Sequence, residues 1–158
     1  MLTDYFSGNM LRTKSKNFIQ EEAMYQLVYA STASDLVKLE VVEDIVAKSK
    51  ANNERDNVTG FLVFNSGYFL QCLEGDISAV NKTFCNIAAD KRHFDTIILS
   101  YNEVSERSFP NWTMALATEV KSKKELYFKY GYVNEFNPYK MAPKGALPFL
   151  KELAAMYY

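Results

Sequence analysis

Five short apolar and β-branched runs, separated by two stretches of helical spacing, limit what this 158-residue chain can become. The first run begins at Met24 and reads Tyr25-Gln26-Leu27-Val28-Tyr29-Ala30-Ser31. A turn with Ser34-Asp35 follows, either residue able to cap a helix N-terminus. Apolar residues then recur at Leu36, Leu39, Val42, Ile45 and Val46, with Lys38, Glu40, Glu43 and Lys48 on the remaining positions. This spacing predicts a helix with one buried stripe, fading near Lys50-Ala51-Asn52-Asn53. Residues 58–64 and 68–73 read as strands joined by the turn Asn65-Ser66-Gly67, hence a hairpin. Gly75-Asp76 opens a second helix carrying Ile77, Val80, Phe84 and Ile87, which ends by Asp90-Lys91-Arg92-His93. Residues 96–101 and 112–117 supply the fourth and fifth strands. The order β-α-β-β-α-β-β predicts an α+β, ferredoxin-like domain: a five-stranded mixed sheet with both helices on one face.

The chain divides into residues 1–23, a polar extension, residues 24–120, the domain, and residues 121–158, a C-terminal helical segment. That last part is charged, then loop-like at Pro138, Pro143 and Pro148, and closes in an amphipathic helix from Phe149. With 18 basic against 19 acidic residues there is no concentrated positive charge, so direct nucleic-acid binding is not expected. No apolar run approaches the ~20 residues that span a bilayer, and the first residues lack a signal-peptide pattern. Two cysteines, Cys72 and Cys85, and one histidine leave neither a disulfide framework nor a zinc ligand set. A reduced, cytoplasmic protein without a membrane partner is the expectation.

No P-loop, glycine fingerprint or Ser-His-Asp spacing stands out. The informative residues are polar groups inside apolar strands: Gln71 within Phe69-Leu70-Gln71-Cys72-Leu73, and Tyr29 within Leu27-Val28-Tyr29-Ala30. A buried amide without partners costs about 1–3 kcal/mol, so Gln71 either faces water or serves a site. Asn53 stands at the polar exit of the first helix and reads equally as a helix end. The aromatic share of 15% suits enclosure of a flat ligand and suits an ordinary core as well.

Five blocks in order add a more specific signal. Tyr25 to Ser31, Asn52-Asn53 with Val58-Thr59-Gly60, Phe69-Leu70-Gln71-Cys72-Leu73-Glu74-Gly75, Asp90-Lys91-Arg92-His93, and Arg107-Ser108-Phe109-Pro110-Asn111-Trp112-Thr113-Met114 together resemble a BLUF domain, a bacterial blue-light photoreceptor module using FAD. The resemblance runs from about residue 24 to residue 118. It implies a non-covalent FAD (FMN or riboflavin carry the same ring) lying between the two helices. Tyr29, Gln71 and Asn53 would form a hydrogen-bonded group around the ring, with Tyr29 and Gln71 as the photochemical switch. Ile45 would flank the ring or simply belong to the core. Asp90, Arg92 and His93 would meet the ribityl and phosphate portion or merely end the helix. Trp112 and Met114, two apart on the last strand and so on one face, would relay the change.

The remaining residues beyond 118 are too few for a cyclase or phosphodiesterase domain. The resemblance therefore implies a sensor that is not itself an enzyme, whose output is self-association into a homo-oligomer or docking of a separate signalling protein. Tyr127, Phe128, Tyr130, Tyr132 and Phe136 offer contact area for that purpose, or for packing on the open face of the sheet. The main alternative is a non-sensory ferredoxin-like module binding a ligand or another protein. An acylphosphatase-like enzyme lacks its anion-binding loop here. An RNA-binding sheet could use Tyr68-Phe69 as a stacking platform but lacks basic surroundings.

Gln20-Glu21-Glu22-Ala23 can be encoded by a purine-rich tract directly before the codon of Met24, as in a bacterial ribosome-binding site. A second translation start at Met24 is predicted, and intact mass of protein made from the native gene checks it. A full-length species alone would refute it.

Overall fold

The computed structural model describes residues 23–118, 124–131 and 135–157. The extension at 1–22, and Tyr132, therefore lie outside the described residues. The elements are β1 (Met24–Ala33), α1 (Leu39–Arg55), β2 (Thr59–Asn65), β3 (Tyr68–Asp76), α2 (Ile77–Ala88), β4 (His93–Val104), β5 (Ala115–Ala117), α3 (Lys124–Lys129) and α4 (Ala146–Tyr157). Short 3-10 turns at Pro138–Lys140 and Pro143–Gly145 lead into α4. The sheet order is β4-β1-β3-β2-β5, antiparallel except for the parallel pair β2 and β5. Each of α1 and α2 carries the chain over an intervening strand to a parallel one, which is the ferredoxin-like arrangement expected from the order of the runs.

Strands β1, β2 and β3 are apolar without alternation because both faces of the sheet are covered there, whereas the edge strand β4 leaves Phe94, Ile97 and Ile98 exposed. In β1, Leu27 and Tyr29 join Val42, Val46 and Val80 of α1 and α2, while Val28 and Ala30 join the C-terminal residues Leu126, Phe149, Leu150 and Leu153. Those four belong to α3 and α4, and Phe136 between the two helices is fully buried in the same cluster. The aromatic tail thus packs on the sheet: Phe149 meets Tyr127, Tyr130 and Phe136 at ring separations of 5.6–6.5 Å. Phe128 instead stands 69% exposed.

Several boundaries differ from expectation for physical reasons. Ser34-Asp35 does not cap α1: Ser34 N–H donates to the Arg92 carbonyl and the Ser34 carbonyl accepts from Val37, so these residues complete a turn first. The helix starts at Leu39 behind Lys38, which makes no side-chain cap, and Leu36 is left 85% exposed. At its other end α1 continues through Asn53 to Arg55, because burial of Asn53 and a basic last turn outweigh the polar composition there. The hairpin turns on Ser66 (φ 53°) and Gly67 (φ 77°), the two positive values that a type I′ turn requires. Asp76 does cap α2, accepting from Ala79 N–H at 3.0 Å. Strand β4 is longer than its apolar centre, and β5 is shorter, with regular pairing only from Ala115.

Gly60 on β2 is fixed by close approach. A Cβ there would lie 2.1 Å from the Cys72 carbonyl oxygen and 3.2 Å from Met114 Cε. Overpacking of this kind costs about 1–3 kcal/mol or more. Gly60→Ala is therefore expected to lower unfolding free energy by about 2 kcal/mol or more in urea titration, with the m-value unchanged.

Candidate functional site

Register places the switch residues. Tyr29 on β1 stands directly opposite Gln71 on β3, and Gln71 stands opposite Leu62 on β2. All three face α1 and α2. The Tyr29 hydroxyl donates to Gln71 Oε1 at 2.5 Å, and Gln71 Nε2 donates to the Met114 thioether at 3.2 Å. Tyr29, Gln71 and Met114 are 3%, 5% and 2% exposed. A thioether is a weak acceptor, and Nε2 carries two N–H groups, so the amide's donor end is poorly served for so buried a group. Phe84 of α2 holds the phenol ring edge-on at 5.4 Å.

A cavity of about 60 Å³, open to one side, lies beside this row between the helices. Its walls include Ile45 and Val46 from α1, Ile87 from α2, and Leu62 and Phe69 from the sheet, with Tyr29, Gln71 and Met114 at its floor. Asp90, Arg92 and His93 stand along the same cavity. It continues into an open groove lined by Asn52, Asn53, Asp56, Lys82 and Asn86, sharing Gln71 and Ile45. Apolar walls, one hydrogen-bonding floor and charges toward the exit fit a flat heteroaromatic ring with a polar tail, and the under-served Gln71 amide faces that space.

The expected residues are thus largely brought together, with qualifications. Asn53 lies in the last turn of α1 and not beyond it, 3% exposed, with Nδ2 donating to the Thr113 carbonyl at 2.7 Å. Arg92 is engaged by Asp90 through Nε and a terminal nitrogen, and this pairing holds the Asp90 carboxyl below the usual range. His93 has both ring nitrogens occupied, Nδ1 with Ser31 Oγ at 2.8 Å and Nε2 with the Ile87 carbonyl at 2.5 Å. A carbonyl only accepts, so Nε2 carries a proton, and His93 ties the end of α2 to β1. Ile45 is half-buried in the cavity wall.

Trp112 and Met114 do not share a face. Both precede β5, so strand alternation does not govern them. Met114 belongs to the cluster under α1 and α2, whereas the Trp112 ring packs on Phe61 and Phe109, at 5.6 and 5.7 Å, in the cluster under the C-terminal helices. Ser31 and Glu74, both fully buried, escaped the sequence reading. The signal was present for Glu74, a carboxylate inside an apolar strand.

Burial, aided by the Asp90 charge, pushes the Tyr29 phenol well above the ordinary tyrosine value of 10. Above about pH 10 the unfolded chain gives up this proton and the folded chain keeps it, so stability falls as pH rises. Tyr29→Phe removes this contribution. Urea unfolding between roughly pH 9 and 11 should show a shallower loss of stability in the variant than in the unsubstituted chain.

Comparison with known proteins agrees with this geometry. The family model described as "Sensors of blue-light using FAD" (BLUF) matches residues 24–115. Photoactivated adenylate cyclase subunit alpha of Euglena gracilis is 31% identical over 112 residues, 69% of this chain and 11% of that protein. The blue light- and temperature-regulated antirepressor BluF of Escherichia coli (strain K12) is 31% identical over 90 residues, 57% of this chain and 22% of that one. The matches thus span a small fraction of these relatives' length. The structure of BlsA in its photo-activated state superposes with a TM-score of 0.75 at 28% identity, covering 82% of this chain and 94% of that one. The chain belongs to the BLUF family of blue-light sensors that use FAD.

Proposed function

We propose that the chain is a blue-light receptor whose switch is the Gln71 amide, held between the Tyr29 phenol and Met114, and that residues 24–120 form its flavin-binding unit. The Tyr29–Gln71–Met114 row at the cavity floor carries this reading. Ile45, with Val46, Leu62 and Ile87, would wall the ring, Asn53 would meet its polar edge, and Arg92 would free a donor for the phosphate portion. His93 would hold α2 in place at the cavity end, since its nitrogens are already engaged. Bound FAD supplies the absorption of blue light and, once excited, an oxidant for a neighbouring phenol.

The phenol is placed to answer. Tyr29 would yield an electron to that oxidant, and its proton would pass along the existing hydrogen bond to Gln71 Oε1. An amide has one carbonyl and one NH₂ on a short group, so its two ends cannot serve both neighbours alike in both orientations. Once electron and proton have both returned to Tyr29, Gln71 would be left turned or tautomerised. Its donor then points to the cavity and its contact with the Met114 sulfur is gone. A stronger donor toward a bound ring would lower its optical gap, and no covalent bond is needed.

The change leaves through the short stretch from Trp112 to Met114, which touches the cavity on one side of the sheet and the C-terminal cluster on the other. Residues 121–158 would then act as the output segment, presenting a changed surface to a second copy or to a separate signalling protein. Phe128, exposed on α3, is available for such contact.

Purified chain is expected to be yellow and to shift its visible band reversibly to longer wavelength under blue light. Tyr29→Phe should keep the flavin and lose the productive photocycle. Gln71→Leu should keep the flavin and lose the shift. Absorption spectra in light and dark check all three, and a normal shift in either variant would contradict the assigned roles.

A further inference from the structure

Glu74, three residues beyond Gln71 on β3, has no part in the chemistry above and is fully buried on the opposite face of the sheet. Four donors converge on its carboxylate. Oε1 accepts from Phe109 N–H at 2.9 Å and from the Thr59 hydroxyl at 3.1 Å. Oε2 accepts from Ser108 N–H at 2.6 Å and from Gln26 Nε2 at 2.8 Å. Thr59 Oγ1 itself accepts from Arg107 at 2.7 Å, which leaves its proton for Glu74. Arg107 also donates to the carbonyls of Glu74 and Asn57, at 3.0 and 2.9 Å. One carboxylate thus joins β1, β2, β3 and the β4–β5 connection.

The connection runs on to the switch. Gly60 N–H donates to the Trp112 carbonyl at 2.9 Å, Asn53 to the Thr113 carbonyl at 2.7 Å, and Gln71 to the Met114 sulfur at 3.2 Å. A single strand therefore grips residues 108–114 at both ends, from opposite faces, with Trp112 between the two grips. The grips are unequal. Bonds to a carboxylate are among the stronger in proteins, whereas an amide on a thioether is weak. Turning the Gln71 amide releases the weak end and leaves the strong end in place.

We propose that Glu74 is a positioning residue of the switch: the fixed anchor that converts displacement of Met114 into movement of Trp112 against the C-terminal cluster. The proposal rests on the reading of the chain as a light sensor working through Gln71. In Glu74→Gln the side chain has one oxygen for four donors, so the anchor loosens without loss of volume. Thr59→Val is milder: it keeps three donors to Glu74 and removes one of the three acceptors of Arg107.

Trp112 is the single tryptophan of the chain, so its emission reports on this segment alone. The test uses the full, FAD-loaded chain and records the flavin band and Trp112 emission in light and dark, alongside a thermal melt. The unsubstituted chain should show both a red shift and a light-minus-dark change in Trp112 emission. Glu74→Gln should retain the red shift and lose the Trp112 change, and Thr59→Val should lose part of it. A residue serving stability alone would lower the melting temperature and leave the Trp112 response intact, which overturns the proposal. If Glu74→Gln fails to fold, an undiminished response in Thr59→Val overturns it. A red shift without any Trp112 response in the unsubstituted chain removes this proposal alone, whereas absence of the red shift removes the sensor reading as well.

Discussion

The rest of the structure is arranged around one buried amide with a strong partner at its oxygen and a weak one at its nitrogen. Gln71 accepts from Tyr29 at 2.5 Å and donates to a thioether at 3.2 Å, at 5% exposure. Such a group is well served at its oxygen and poorly at its nitrogen, and it lines a cavity where a better acceptor can sit. Strand register sets this balance. Tyr29, Gln71 and Leu62 lie opposite one another across three antiparallel strands, and a slip of one residue would carry Gln71 to the other face.

The sheet separates two clusters that have different tasks. On one side α1 and α2 stand apart enough to leave a cavity between them, and on the other α3, α4 and the preceding aromatics fill the space. The stretch from Phe109 to Met114 passes from one side to the other, with Phe109 and Trp112 on the filled side and Met114 on the open side. Gly60 makes room for it, since a side chain there would meet both the Cys72 carbonyl and Met114.

Much of this was legible in the chain. The two helical spacings, the Ser66-Gly67 turn and the Asp76 cap act locally, and the ferredoxin-like order follows from them. Gln71 and Tyr29 were visible as polar groups in apolar runs, and the family blocks turned that oddity into a site. What escaped depends on tertiary partners. Asn53 continues α1 because Thr113 receives its amide, and Ser34 leaves the helix because Arg92 receives its N–H. Trp112 and Met114 part company because regular pairing of β5 begins only at Ala115, beyond both residues, and imposes no alternation on them. His93 has the residue type to meet a phosphate, yet its nitrogens are spent on Ser31 and Ile87, a pairing between positions 62 apart in the chain and another across the helix end.

The most direct test is an infrared light-minus-dark difference spectrum of the FAD-loaded chain, with and without an isotopic label at the glutamine side-chain carbonyl. If Gln71 turns or tautomerises, a side-chain amide band moves with the label and returns in the dark with the flavin band. A reversible red shift with no label-sensitive amide band would show that Gln71 stays as it was, and that the switch lies elsewhere.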